Sequence, residues 1–330
     1  MPDRGVSQVD RFDELVVFSI DMRVPFRGID RREGVLLRRG DRWSEWSPFL
    51  EYPDTEAANW LRVALNIEEP ELRRLRVPVN VTVPVVSPMR AADMVTSSGC
   101  RTAKVKVGDP RCGLDDDLAR LAAVRKALGP EGHIRVDANG SWSVDQAERS
   151  LAAMSRFKLQ YAEQPCETVE ELAELRARMA DAETPVLIAA DESIRRSEDP
   201  LRVAELGAVD IVVLKNQPLG GWQRCLQLAA EIDLPVVVSS ALETSIGIWE
   251  GAQMAAALSE LELACGLNTV KLLTDDVLAE PLVARDGYLE INRRPVPDPK
   301  ALLRVRATRD RFQWWRDRLE RCLAIHDEQA

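Results

Sequence analysis

Short apolar runs recur along the middle of the chain, and five of them end in a charged residue: Ala103-Lys-Val-Lys106, Ile134-Arg-Val-Asp137, Leu159-Gln-Tyr-Ala-Glu163, Val186-Leu-Ile-Ala-Ala-Asp191 and Ile211-Val-Val-Leu-Lys215. Such runs read as buried parallel strands. Their ends lie 31, 26, 28 and 24 residues apart, which leaves room for one helix and its loops in each step. Four helices are legible: Leu114 to Leu128, Val144 to Ser155, Val169 to Met179 and Gln223 to Ile232 carry apolar residues at helical spacing with charge between them. Ser143 and Thr168 stand at N-cap positions with Gln146 and Glu171 three residues on, the pattern of a capping box. The runs Val77 to Val83 and Pro235 to Val238 extend the strand series on both sides, and an eighth strand is expected near Leu263 to Leu267. Parallel neighbours need helical crossovers, so the alternation predicts an α/β fold, a (β/α)7β TIM-like barrel.

The pattern changes toward both ends. A strand at Leu15 to Ile20, a hairpin around Arg39-Gly-Asp41 and a helix from Glu56 to Ile67 predict an α+β capping domain. The expected division is 1–86 for the cap, with part of 290–330 packing on it, and 87–289 for the barrel. The loop Pro25-Phe-Arg-Gly28 is expected to close over the site and exclude water. A final helix carrying Trp314, Trp315 and Leu319 is expected to pack on cap or barrel.

Composition narrows the functional class. A chain of 330 residues has room for a barrel and a smaller domain. Its net charge of -10 and pI near 5.0 argue against a nucleic-acid surface. No apolar run approaches membrane-spanning length, and the opening Met-Pro-Asp-Arg-Gly-Val lacks a signal-peptide core. The six cysteines show no close pairing and read as reduced thiols of a cytoplasmic protein. Cys166 reads as core filler rather than as a nucleophile. The expected partner is a small-molecule carboxylate, with no nucleic acid and no membrane, and the sequence sets no oligomeric state.

If the charged residues lie at strand C-terminal ends, they converge on one barrel mouth, where active sites of such folds are built. Lys104 and Lys106 are two apart and point the same way on one strand, as do Asp137 and Asn139. Of Asp191 and Glu192 that rule lets only one face inward, and Asp191 follows the apolar run at the required interval. Asp137, Glu163 and Asp191, with no Cys or His among them, suit a hard divalent cation, Mg2+ first. A metal on a substrate carboxylate stabilises the enediolate formed when the adjacent C–H proton leaves. A lysine can take that proton if burial and neighbouring positive charge lower its pKa. In isolation, Lys-x-Lys is more often an exposed edge and a carboxylate after a strand more often an N-cap. Five such groups after five successive runs favour the functional reading.

The segments Lys104-Val-Lys-Val107, Val136-Asp-Ala-Asn139, Ala162-Glu-Gln-Pro165, Ala190-Asp-Glu-Ser193 and Leu214-Lys-Asn216 resemble the strand-end motifs of the enolase superfamily, in its muconate-lactonising subgroup. Arg23-Val-Pro-Phe-Arg-Gly28, Arg32-Glu-Gly-Val-Leu-Leu37, Trp43-Ser-Glu-Trp-Ser-Pro-Phe49 and Val238-Ser-Ser-Ala-Leu-Glu-Thr-Ser-Ile-Gly247 are similar to an actinobacterial dehydratase branch of it. The resemblance implies Mg-dependent dehydration of 2-succinyl-6-hydroxy-2,4-cyclohexadiene-1-carboxylate to o-succinylbenzoate in menaquinone biosynthesis. It implies Lys106 as the base that then protonates the departing hydroxyl, and Lys215 as an enolate-stabilising cation on the other face. Lys104 would lower the pKa of Lys106 and approach a substrate carboxylate. Asp137, Glu163 and Asp191 would hold the metal, with Asn139 behind them. Ser239 and Ser240 would lie near the succinyl chain. Phe26 and Arg27, from the cap loop, are further candidates for substrate contact. Members that use a histidine on the sixth or seventh strand are excluded, because the chain has only His133 and His326, and neither reaches the mouth. Racemisation of N-succinylamino acids or dipeptides by Lys106 and Lys215 remains open, as does a catalytically silent binding protein on this fold.

Overall fold

The computed structural model describes residues 8–180, 182, 184–196 and 199–329. Strands β1 (Glu14–Phe26), β2 (Ile29–Arg39) and β3 (Arg42–Trp46) form an antiparallel sheet, and α1 (Asp54–Leu65) packs against it. The Arg39↔Arg42 pairing makes Gly40-Asp41 the expected hairpin turn. β1 runs six residues beyond the expected strand, since its polar residues Asp21 and Arg23 lie on an exposed face that broke the apolar run. The Pro25–Gly28 loop is therefore a hairpin tip. Phe26 pairs with Ile29, and Arg27 and Gly28 take φ of 54° and 77° between them, the left-handed pair that a two-residue hairpin turn requires.

The chain continues through β4 (Arg76–Pro78), β5 (Val81–Val83), α2 (Pro88–Ser98), β6 (Thr102–Lys106), α3 (Leu114–Leu128), β7 (His133–Asp137) and α4 (Val144–Met154). Next come β8 (Leu159–Glu163), α5 (Val169–Ala180), β9 (Ile188–Ala190), the short α6 (Glu192–Arg195) and α7 (Arg202–Glu205), β10 (Ile211–Lys215), α8 (Trp222–Ile232) and β11 (Val236–Ser239). Then follow α9 (Ser245–Ala257), β12 (Tyr288–Glu290), α10 (Pro299–Val305) and α11 (Arg309–Gln329). Strands β5 to β11 form one parallel sheet in chain order. Both expected capping boxes are present: Ser143 accepts from Gln146 N at 3.4 Å and Thr168 from Glu171 N at 3.2 Å.

The eighth strand is reduced to Cys265–Gly266, which bridges Val79 on one side and Ser239 on the other. Cys265 N donates to Pro78 O at 2.7 Å and Gly266 N to Val238 O at 2.8 Å, closing the barrel. The approach is close there, since a Cβ on Gly266 would stand 2.4 Å from Ser239 Oγ and 3.1 Å from Ser239 Cβ, and any larger residue would have to push that side chain aside. The run read as one strand from Val77 to Val83 is two: β4 pairs antiparallel with β12, while β5 opens the barrel sheet. The first barrel strand thus lies inside the stretch 1–86 assigned to the cap, and we propose a division near residue 75.

Alternation sorts the strand residues. Ala103, Val105, Ile134, Val136 and Ala162 pack outward with the helices in the main core. Tyr161, Ala189, Ile211, Val213 and Val237 make a separate apolar cluster on the other face of the strands, within the barrel. The cap has its own core with α11, in which Trp46 meets Trp315 edge-on at 5.5 Å. No helix among the described residues is long and apolar enough to cross a membrane.

Candidate active site

Parallel register brings the strand ends to one rim: Lys106 pairs with Asp137, Asp137 with Glu163, and Lys215 with Ser239. Ten of the eleven residues named from the sequence line a single cavity there: Phe26, Arg27, Lys104, Lys106, Asp137, Asn139, Asp191, Lys215, Ser239 and Ser240. Glu163 is the exception. It lies beneath the lining, covered by Lys104, whose Nζ donates to Glu163 Oε1 at 2.6 Å. The hairpin tip closes the cavity from the cap side, with Lys106 Nζ 5.1 Å from the centre of the Phe26 ring.

The charges are tightly paired. Lys106 Nζ bonds Asp137 Oδ2 at 2.6 Å and also Asn139 Oδ1. Lys104 reaches Asp137 Oδ2 at 3.2 Å, and Lys215 bonds Asp191 Oδ2 at 2.6 Å. Burial alone would push the carboxyls of Asp137 and Asp191 up. Neighbouring cations overturn that: Lys106 and Lys104 hold Asp137, and Lys215 and Arg195 hold Asp191, well below the ordinary carboxylate range. Glu163 goes the other way, to about 7, because burial dominates and the Asp137 and Asp191 charges add to it against Lys104. Burial pulls the Lys104 ammonium down, but Glu163 and Asp137 more than offset it and its pKa is raised.

Glu192 also lines the cavity, contrary to the expectation that only one of the Asp191-Glu192 pair could. The alternation rule fails there because the strand ends at Ala190 and α6 begins at Glu192. Asn139 likewise follows its strand in a left-handed conformation, φ 49°, so its approach to Lys106 is a feature of the turn. Two further residues carry no obvious sequence signal. Arg195 bonds Asp191 Oδ1 at 3.0 Å, Glu192 Oε1 at 2.5 Å and the Tyr52 hydroxyl at 2.8 Å. Tyr52 accepts from Arg27 as well, at 2.6 Å, so the hydroxyl joins hairpin tip to barrel. Only the four-residue spacing from Asp191 to Arg195 could have pointed to the first of these. His133 begins β7 at the end opposite Asp137, and His326 lies on α11. Cys166 is buried outside the cavity, its thiol pushed up to about 12 by burial.

Among the described residues no three His, Cys, Asp or Glu side chains form a ready ligand cage, because ammonium groups lie between the carboxylates. The donor set nevertheless fits a hard cation: three buried carboxylates on consecutive strands, with Glu163 Oε2 buried and without a hydrogen-bond partner.

Residues 88–295 match the family described as enolase C-terminal domain-like, and residues 17–67 that described as enolase N-terminal domain-like. The chain is 52% identical over 286 residues to an o-succinylbenzoate synthase of Thermobifida fusca, covering 86% of this chain and 89% of that one. It is 49% identical over 321 residues to one of Mycobacterium marinum, covering 96% and 95%. Among solved structures, the muconate lactonizing enzyme of Pseudomonas fluorescens complexed with muconolactone superposes with a TM-score of 0.74 at 23% identity, over 89% of this chain and 98% of that one. The N-succinyl Arg/Lys racemase of Bacillus cereus does so at 0.72 and 17%, over 89% and 97%. These last two establish the fold, and the two sequence relatives establish the branch. The chain belongs to the enolase superfamily and, within it, to the o-succinylbenzoate synthase family.

Proposed function

We propose that the protein is a carbon–oxygen lyase that dehydrates 2-succinyl-6-hydroxy-2,4-cyclohexadiene-1-carboxylate to o-succinylbenzoate. The observation that carries the reading is one cavity walled by Lys106 from β6 and Lys215 from β10, on opposite sides of the barrel, with buried carboxylates between them. Lys106, as the free amine, takes the proton next to the substrate carboxylate. The C–O bond then breaks, and the same nitrogen returns the proton to the departing hydroxyl, so water leaves and the ring becomes aromatic. Lys215 faces the other side of the ring as a cation and stabilises the electron-rich enolate. Lys104 and Asn139 orient Lys106 and the substrate carboxylate, and Ser239 and Ser240 offer donors to the succinyl chain. Phe26 and Arg27 shut the mouth and exclude water. Asp137, Glu163 and Asp191 are the residues that would hold Mg2+, which when bound would supply fixed positive charge opposite the substrate carboxylate. Six free thiols support the cytoplasmic location read from the sequence.

A second reading, proton exchange at the α-carbon of N-succinylamino acids, is favoured by the same pair of lysines. The deciding experiment follows the cyclohexadiene absorbance with Mg2+ and then with chelator. Rapid metal-dependent loss is expected. No loss with metal-loaded protein would overturn the dehydratase reading, and solvent deuterium entering N-succinylamino acids would then establish the second.

A further inference from the structure

Behind the cavity wall, cap and barrel share a seam, and one residue in it holds a conformation that needs support. Leu242, three residues past Ser239, is buried, lines the cavity and has φ +65°. Left-handed backbone is unfavourable for a residue with a branched side chain, and it persists only where the surroundings impose it. Within the turn Ala241 N donates to Glu243 Oε2 at 2.6 Å, and further support comes from the cap. Arg32 on β2 is 2% exposed, and its Nε donates to Leu242 O at 3.2 Å while Nη2 donates to Ala241 O at 3.2 Å. The remaining donors go to Ser47 O, Ser47 Oγ at 3.0 Å and Glu33 O at 2.9 Å. The guanidinium also lies 4.6 Å from the centre of the Phe49 ring, another cavity residue. Among the described residues Arg32 makes no ion pair. A buried guanidinium that joins the Ala241–Leu242 turn to Ser47, just past β3, and to the carbonyl of its own neighbour Glu33 acts as a clamp, because its planar fork fixes several acceptors at once.

We propose that Arg32 is a positioning residue that sets substrate fit from the cap. It pins the Ala241–Leu242 turn so that the Leu242 side chain, with Phe26 and Phe49, forms the apolar wall against the ring of a cyclic carboxylate substrate. The proposal rests on the reading of this cavity as the substrate site. It places specificity in the seam as well as in the hairpin tip.

The test is a double-mutant cycle of Arg32→Lys, which keeps the charge and loses the fork, and Leu242→Gly, which removes the wall and relieves the backbone. Each single change is expected to raise KM about tenfold with kcat altered less than about threefold, and the double variant to be no worse than the worse single. KM effects that multiply, or a lowered Tm with KM unchanged, would overturn the clamp. Amide hydrogen exchange without any ligand gives a readout independent of the reaction. Arg32→Lys should speed exchange at residues 241–244 about tenfold while leaving β10 protected, as local opening of one turn would. Unchanged protection of that turn defeats the inference whatever the substrate is. Should wild-type protein not turn over the cyclohexadiene, the function reading fails by itself and the exchange result still decides the clamp.

Discussion

The mouth of the barrel and the seam beneath the cap both bury carboxylates, and they solve the problem in different ways. At the mouth each carboxylate touches a cation: Asp137 and Glu163 have lysines, Asp191 has Lys215 and Arg195, and Glu192 has Arg195. At the seam, Glu45, Glu243 and Glu250 are buried, and among the described residues only Glu250 has an ion pair, to Arg42 at a loose 3.8 Å. Glu45 is satisfied instead by the start of α9, accepting from Thr244 Oγ1 at 2.6 Å, Thr244 N at 3.0 Å and Gly247 N at 3.2 Å. Helix N-termini favour negative charge, but here burial wins. Glu45 is pushed up to about 8, chiefly by burial and then by Glu243. Neighbouring cations hold the Asp137 and Asp191 carboxyls of the mouth down, whereas burial pushes the carboxyls of the seam up. Glu163, deepest at the mouth, is the one member there that behaves like the seam.

The largest effect should come from breaking the mouth at its base. Lys106→Ala is expected to cut turnover by about 10^2 to 10^4-fold, with metal affinity by calorimetry and thermal stability largely intact, since Asp137 keeps Lys104. Turnover near wild type would move the base elsewhere. A smaller effect separates the two adjacent carboxylates. Asp191→Asn should weaken Mg2+ binding by at least about tenfold through lost ligand charge, and Glu192→Gln by less. The opposite ranking would show that Glu192 is the ligand and that Asp191 serves only to hold Lys215 and Arg195.

The mouth was legible in the sequence and the seam was not. Strand-end carboxylates and lysines announce themselves because a parallel strand must be apolar until it reaches the rim, so the first charge marks the rim. Helix α3 could be placed to the residue because its apolar stripe alternates with charge. Helix α9 could not, because all thirteen of its residues are buried and a helix covered on every side shows no period. α2 does not stand out either, although Ser87-Pro88 and Gly99 mark its ends. The seam joins β2 and β3 to the turn after β11, about 200 residues further along the chain. Segments 32–37, 43–49 and 238–247 each stood out by resemblance. Nothing in any one of them says that Arg32 clamps Leu242 or that Glu45 caps α9.

The smallest expected effect tests the seam's side of the contrast. Because the folded-state pKa of Glu45 lies above its ordinary value of 4.5, at about 8, the folded protein holds a proton between those limits that the unfolded chain has released. Its contribution to stability is therefore highest below about pH 4.5 and declines as pH rises to about 8, the reverse of a salt-bridged carboxylate. Glu45→Gln imitates the neutral acid and cannot ionise. Relative to wild type its Tm should be equal or slightly lower near pH 5 and higher by a few degrees at pH 8.5. Glu163, Glu243 and Glu250 also titrate upward, so the wild-type profile alone cannot assign the slope, and the difference between the two proteins isolates Glu45. A variant less stable than wild type by the same margin at both pH values would mean that Glu45 caps α9 as an ion throughout, and the contrast between carboxyls held down at the mouth and pushed up at the seam would fall.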